Sequence, residues 1–195
     1  MTTPNPTDPN KVLLTGENSF IRLSAEQGAP QTTRVSHWRV MYSPGGPGHV
    51  LFIKSDLVDN DVLIYSDNIA LTRWLQGEIE SFLFPEFADQ NLPVIDAEFK
   101  KSGDGRSFWK ETVESDDDSI ILTWHDFMEP FMLRVEAGSV ADRPHGVYSC
   151  FIPANHAQVT FNGDAAAGKP TPEARGDRHS STACLAWSET WVKPT

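Results

Sequence analysis

Near the end of the chain, in the run ACLAWSETWV, a glutamate stands between two tryptophans: Leu185, Trp187, Glu189 and Trp191 occupy alternate positions. Alternate residues of an extended chain share a face, so the spacing predicts a strand with a carboxylate set among bulky apolar side chains. If that face is buried, the carboxylate must be hydrogen-bonded, paired with a cation, or carry a raised pKa. The chemistry this allows is proton transfer, with Glu189 as general acid or base, or as the orienting partner of a histidine. The structural alternatives are a glutamate turned outward on an interface face between Trp187 and Trp191, or a buried salt bridge to an arginine.

The run Thr123-Trp124-His125-Asp126 supplies a second titratable candidate. His125 falls on an expected strand with carboxylates nearby, and histidine's ordinary pKa suits proton transfer near neutrality. A histidine bonded to a backbone carbonyl at a strand end is the competing reading. Arg39, Arg178 and His179 are candidates for orienting a polar group of a ligand. Trp38, Trp124, Tyr148 and Trp187 are candidates for its walls, because aromatic rings line a pocket as readily as they fill a core.

Other constellations point to solvated turns or plain structure. The six histidines (His37, His49, His125, His145, His156 and His179) show no HxH or HExxH spacing, so a metal site would have to be assembled across strands. The glycine-rich stretch 43–48 lacks the lysine and helix of a phosphate loop. The acidic turns at 56–61 and 116–118 lack the spacing and closing glutamate of a calcium loop. Ser180-Ser181 has no nucleophile elbow around it. Neither a cofactor nor a resident metal is expected.

The bulk properties exclude several partners. A formal net charge of -11 with no basic cluster argues against nucleic acid, which needs a clustered basic face. No apolar stretch approaches the length of a membrane span. The opening MTTPNPTDPNK lacks the blocks of an export signal, and the two cysteines, Cys150 and Cys184, form no disulfide framework, so the cytoplasm is the expected compartment. A homodimer is expected on the general ground that two-fold assemblies are the commonest oligomers.

The elements that must position these residues are mostly strands. Short runs at 11–14, 20–23, 35–42, 50–53 and 62–65 precede one amphipathic helix, which starts near Asp67 as its cap. Its apolar residues Leu71, Trp74, Leu75, Ile79, Phe82 and Leu83 recur at helical spacing until Pro85. Beyond residue 94 the chain reads as nearly continuous β, with a hairpin signal at 102–105 and a final strand at 184–192. The expected fold is all-β and mainly antiparallel: a barrel or barrel-like sandwich of about ten strands with the helix packed on it. Residues 1–10 are expected to be a flexible tail, and 11–195 a single domain with a long loop at 163–181. The strand-rich pattern with one helix resembles lipocalin-like barrels in architecture, with the helix placed ahead of most strands. Architecture alone does not fix function.

These features lead to the expectation of a barrel that encloses a small apolar or aromatic molecule. As an enzyme it would carry out cofactor-free proton transfer (isomerisation, hydration, elimination or cyclisation) with Glu189 and His125 as acid–base groups. The alternatives are a non-catalytic carrier or sensor, and an interaction module that docks through an exposed Trp187/Trp191 face.

Overall fold

The structure is a computed structural model that describes residues 10–140 and 144–194. The tail expected at 1–10 therefore lies, apart from Asn10, outside the described residues. Four strands open the fold as an antiparallel meander: β1 (Val12–Ser24), β2 (Gln31–Tyr42), β3 (Gly48–Ser55) and β4 (Val62–Ser66). Helix α1 spans 69–83, with α-helical turns at Ile69–Leu75 and Ser81–Leu83 and a π-helical segment at Gln76–Glu80 between them. There follow β5 (Ile95–Asp96), β6 (Glu98–Gly103), β7 (Phe108–Glu114), β8 (Ser119–Phe127), β9 (Phe131–Val135) and β10 (Gly146–Phe161). The last part carries β11 (Asp164–Ala165), β12 (Pro172–Arg175), β13 (Arg178–Ser181) and β14 (Ala183–Val192).

Across the main sheet the order is β5-β4-β3-β2-β1-β14-β10-β8-β7-β6. Its two ends, β5 and β6, are consecutive in the chain and separated only by Ala97, whose N–H donates to Ser66 O at 3.3 Å. The edges therefore meet, and the sheet is a nearly closed, mainly antiparallel barrel. Among the described residues, the β4–β5 pair alone is parallel. Closure disposes of the exposed edges that an open sheet would present. The long strand β10 changes neighbours midway: Val147–Phe151 pairs with β9, and Ala154–Phe161 with β8.

Alternation along the strands sends apolar side chains to both faces of the sheet. Ile21, Val35, Leu51, Tyr65, Val113, Leu122, Trp124, Ile152 and Leu185 come from strands all round the sheet and meet in one cluster, which marks the barrel interior. A second cluster joins Leu71, Leu75 and Ile79 of α1 to Trp38, Val40, Phe52 and Trp191, so the helix covers the outer face of the wall. Strands β1, β2, β3, β10 and β14 are thus buried on both faces there, as their near-continuous burial shows.

Three local details depart from the sequence expectations. The N-cap of α1 is Asn68, whose side chain accepts from Leu71 N at 3.2 Å; Asp67 instead accepts from the His49 backbone and ring, each at 2.6 Å. The loop expected at 163–181 contains the β12–β13 hairpin, with Gly176 in the left-handed region at φ 63° in the turn. The segment is anchored by paired backbone bonds between Ser24 and Lys169 and by Thr182 Oγ1 donating to Arg22 O at 2.8 Å.

The third detail concerns β14. Between the pairs Tyr148–Thr190 and Cys150–Trp187 the register slips by one residue, and Ser188 adopts φ 52°. The bulge reverses the alternation, as an unpaired extra residue must. Leu185 and Trp187 pack on the interior, while Glu189 and Trp191 fall on the outer, helix-covered side. The four residues do not share one face.

The turn between β2 and β3 is the seat of the helix. A Cβ built on Gly45 would lie 2.8 Å from Leu71 Cα and 2.9 Å from Ala70 O, closer than packing allows. Gly45→Ala is expected to lower stability by about 1–3 kcal/mol, the usual cost of overpacking, as measured by denaturant unfolding.

Candidate functional site

Glu189 is buried, with 4 % of its surface exposed, and lines a cleft of about 190 Å³ between the end of α1 and the outer face of the barrel. Its Oε1 accepts from Trp191 Nε1 at 2.7 Å. The apolar walls come from Phe20, Leu83, Phe84, Leu133, Val147 and Phe151; the polar lining is Asn18, Arg22, Arg175 and Glu189. Phe20 and Phe151 meet edge to face, with centroids 6.0 Å apart. The guanidinium of Arg175 lies over both rings, and that of Arg22 over Phe20. The β12–β13 hairpin thus contributes part of the cleft, since Arg175 belongs to it.

Behind this cleft lies a carboxyl group that the sequence reading did not single out. Glu80 is fully buried, and its Oε1 accepts from Trp38 Nε1 at 2.6 Å and from Ser36 Oγ at 2.7 Å. Ser36 Oγ in turn receives Asn18 Nδ2 at 3.1 Å, which links Glu80 to the cleft lining. Glu80 Oε2 has no hydrogen-bond partner among the described residues. Burial pushes its pKa up to about 8 against the pull of Trp38 and Ser36, with smaller contributions from the charges of Glu86 and Glu189. At neutral pH it is mainly protonated, and a proton on Oε2 is consistent with Oε1 accepting twice. A sequence signal did exist: Thr72, Gln76 and Glu80 form a polar row at intervals of four residues beside Leu71, Leu75 and Ile79, and all three are fully buried.

A second polar group occupies the interior of the barrel, where His37 and Arg39 alternate with Val35. Arg39 donates to Glu17 at 2.8 Å, to both oxygens of Glu111 at 3.1 and 2.8 Å, and to His49 Nε2 at 3.2 Å. Because His49 Nε2 accepts there, its proton is on Nδ1, which donates to Asp67 at 2.6 Å. Trp109 Nε1 donates to Glu111 at 2.8 Å, and Phe99 stacks on His49 at 5.1 Å. Burial raises the Glu111 pKa, opposed by Arg39. Burial, reinforced by Arg39, keeps His37 neutral, with its pKa well below the ordinary range. His37 Nε2 and Trp187 Nε1 are buried without partners among the described residues.

The residues singled out from the sequence are distributed over several places. Of the nine, Glu189 alone lines the cleft, with Trp38 behind it through Glu80. Arg39 and Trp187 belong to the barrel interior, and Trp187 meets Trp109 edge to face at 5.0 Å. Trp124 is a fully buried interior residue whose Nε1 donates to Phe20 O at 3.2 Å. Tyr148 is half-buried and donates to Glu136 at 3.0 Å. His125 is exposed on the outside of β8, stacked on His156 at 5.2 Å, and does not line the cleft. Arg178 and His179 are exposed at the hairpin turn and border a different depression with Met128 and Phe131. Cys150 and Cys184 are free thiols. No described helix is long and apolar enough to cross a membrane. Among the described residues, no group of three or more His, Cys, Asp or Glu side chains is placed to hold a metal ion.

Two outcomes follow from these networks. Glu80 binds its proton more tightly in the folded chain than at its ordinary value of 4.5, so its contribution to stability is complete below about pH 4.5 and is lost as the pH rises towards 8. The loss is about 4–5 kcal/mol at 1.36 kcal/mol per pKa unit, and thermal unfolding of Glu80→Gln between pH 5 and 8 should show a correspondingly flatter profile. Arg39→Met leaves Glu17 and Glu111 facing each other without their cation. It should cost about 3 kcal/mol in denaturant unfolding, the low end for a broken buried pair because Arg39 and Glu17 keep some contact with water.

Comparison of the chain with known protein families, curated proteins and solved structures gave no match.

Proposed function

We infer that the protein binds a small, largely apolar molecule in the cleft between α1 and the barrel wall, with Glu189 at its polar end. The observation that carries this reading is a buried carboxylate opening onto a cleft of about 190 Å³ whose other walls are mainly aromatic and aliphatic. For scale, an apolar cavity of about 150 Å³ accepts benzene. Glu80, protonated behind Asn18 and Ser36, and Glu189 give the site two carboxyl groups in unlike surroundings. Such a pair suits cofactor-free proton transfer, in which one group donates and the other accepts. In this reading Glu80 takes the place first considered for His125.

A second reading puts the ligand in the polar end of the barrel interior. It is favoured by the unpartnered His37 Nε2 and Trp187 Nε1, two buried nitrogens in the region organised by Arg39. The docking-module alternative loses its basis: Trp191 is 1 % exposed, and Trp187 packs into the barrel on the other side of the wall.

Native mass spectrometry of the purified chain, followed by titration with single-ring compounds, tests the proposal. Glu189→Gln should weaken binding by about tenfold, the scale of one charge-assisted hydrogen bond. Turnover lost with affinity retained would identify an enzyme, and a change in affinity alone a carrier. An unchanged Glu189→Gln, with binding abolished by His37→Phe or Trp187→Phe, would move the site into the barrel; an unchanged response in all three variants defeats both readings.

A further inference from the structure

The order of polar and apolar groups along the cleft specifies more than an apolar guest. On the outer face of β1, Asn18, Phe20 and Arg22 follow one another at two-residue intervals, which spreads them over about 13 Å of strand. The partner strand keeps the same sequence of environments. Glu189 is opposite Gly16 and Cys184 opposite Phe20, so the carboxylate belongs to the Asn18 end. On β10, Phe151 is paired with Ala186 and Val147 with Trp191, which puts Phe151 in the middle and Val147 beside the carboxylate end. The cleft therefore runs from Glu189 and Asn18, through the Phe20/Phe151 pair, to Arg22 and Arg175.

The arginine end holds surplus positive charge. Arg22 Nη2 and Arg175 Nε both donate to Glu173, at 2.5 and 2.6 Å, so two guanidinium groups share one carboxylate. Arg22 Nε is buried and has no hydrogen-bond partner among the described residues. A buried donor left unmet costs free energy that an incoming acceptor would recover. Arg175 is laid over the two phenylalanines, which holds its charge at the edge of the aromatic slot.

We propose that the occupant is a short aromatic carboxylate with a hydrogen-bond donor at its far end: the carboxylate meets Arg22 and Arg175, the ring lies against Phe20 and Phe151, and a hydroxyl faces Glu189. The volume restricts the ring system to a single ring with small substituents. This assignment rests on the cleft being the ligand site and names the class of ligand it takes.

Isothermal titration of the full chain at neutral pH with 4-hydroxyphenylacetate, its methyl ester and phenylacetate tests it. The hydroxy acid should bind best, the ester about tenfold more weakly, and phenylacetate more weakly than the hydroxy acid, because each loses one end contact. Arg22→Gln and Arg175→Met should each reduce hydroxy-acid affinity by about tenfold and that of the ester less, because the ester brings no charge to the arginine end; the retained ester binding shows that the cleft is intact. Equal binding of acid and ester by the wild-type chain, insensitive to both arginine variants but weakened by Glu189→Gln, overturns the carboxylate assignment and leaves the cleft reading standing. Binding of none of the three probes at millimolar concentration overturns both.

Discussion

A single carboxyl group ties the helix to the barrel. Glu80 reaches from the π-helical segment of α1 to Trp38 and Ser36 on β2, and so fixes the helix at a fully buried point on the wall. A carboxyl group so placed is costly unless it is hydrogen-bonded or neutral, and Glu80 is both. The π-helical segment adds a residue to the turn, and such segments recur where a side chain must be aimed. Past this anchor, Leu83 and Phe84 line the cleft where the helix ends. The same bond thus secures the outer core and borders the space available to a ligand.

The wall formed by β1, β2 and β14 separates two chemistries. Its inner face carries Arg39 with its two carboxylates, balanced by direct contacts; its outer face carries the Glu189 cleft. The bulge at Ser188 is what assigns Glu189 to the outer side. Without the extra residue, strict alternation would carry the glutamate to the interior with Trp187, close to the Arg39 group. One unpaired residue therefore decides which of the two environments the acid experiences.

The sequence made the architecture legible because period-two alternation and turn residues are local signals. The barrel, the helix and the 102–105 hairpin were all readable, the last from Gly103, Asp104 and Gly105, where Asp104 accepts from the backbone of Arg106 and Ser107. Neither the burial of Glu189 nor its face was readable, since apolar neighbours suit an inward or an outward acid and nothing in the residue type of Ser188 announces a left-handed backbone. The β12–β13 hairpin carried a turn signal in Gly176-Asp177, but its flanks are charged rather than alternating, so it read as a loop. Asp67 and Asn68 are both good caps, and only the demand of His49 for a carboxylate separates their roles. Glu80 was hidden because a glutamate in a helix is ordinarily solvated, and its meaning depends on the row it forms with Thr72 and Gln76.

The seam of the barrel has a dynamic consequence. Where β4 meets β5 the ladder has only two rungs, Tyr65–Ile95 and Ser66–Asp96, supplemented by the Ala97 amide and by Tyr65 donating to Asp118 at 2.7 Å. Every other junction round the cylinder is zipped by a longer ladder. Local opening begins where few bonds must break together, so breathing of the cylinder is concentrated along this line. Tyr65 is then the latch: its ring belongs to the interior while its hydroxyl reaches across to the turn before β8, so the barrel parts here only when both holds release.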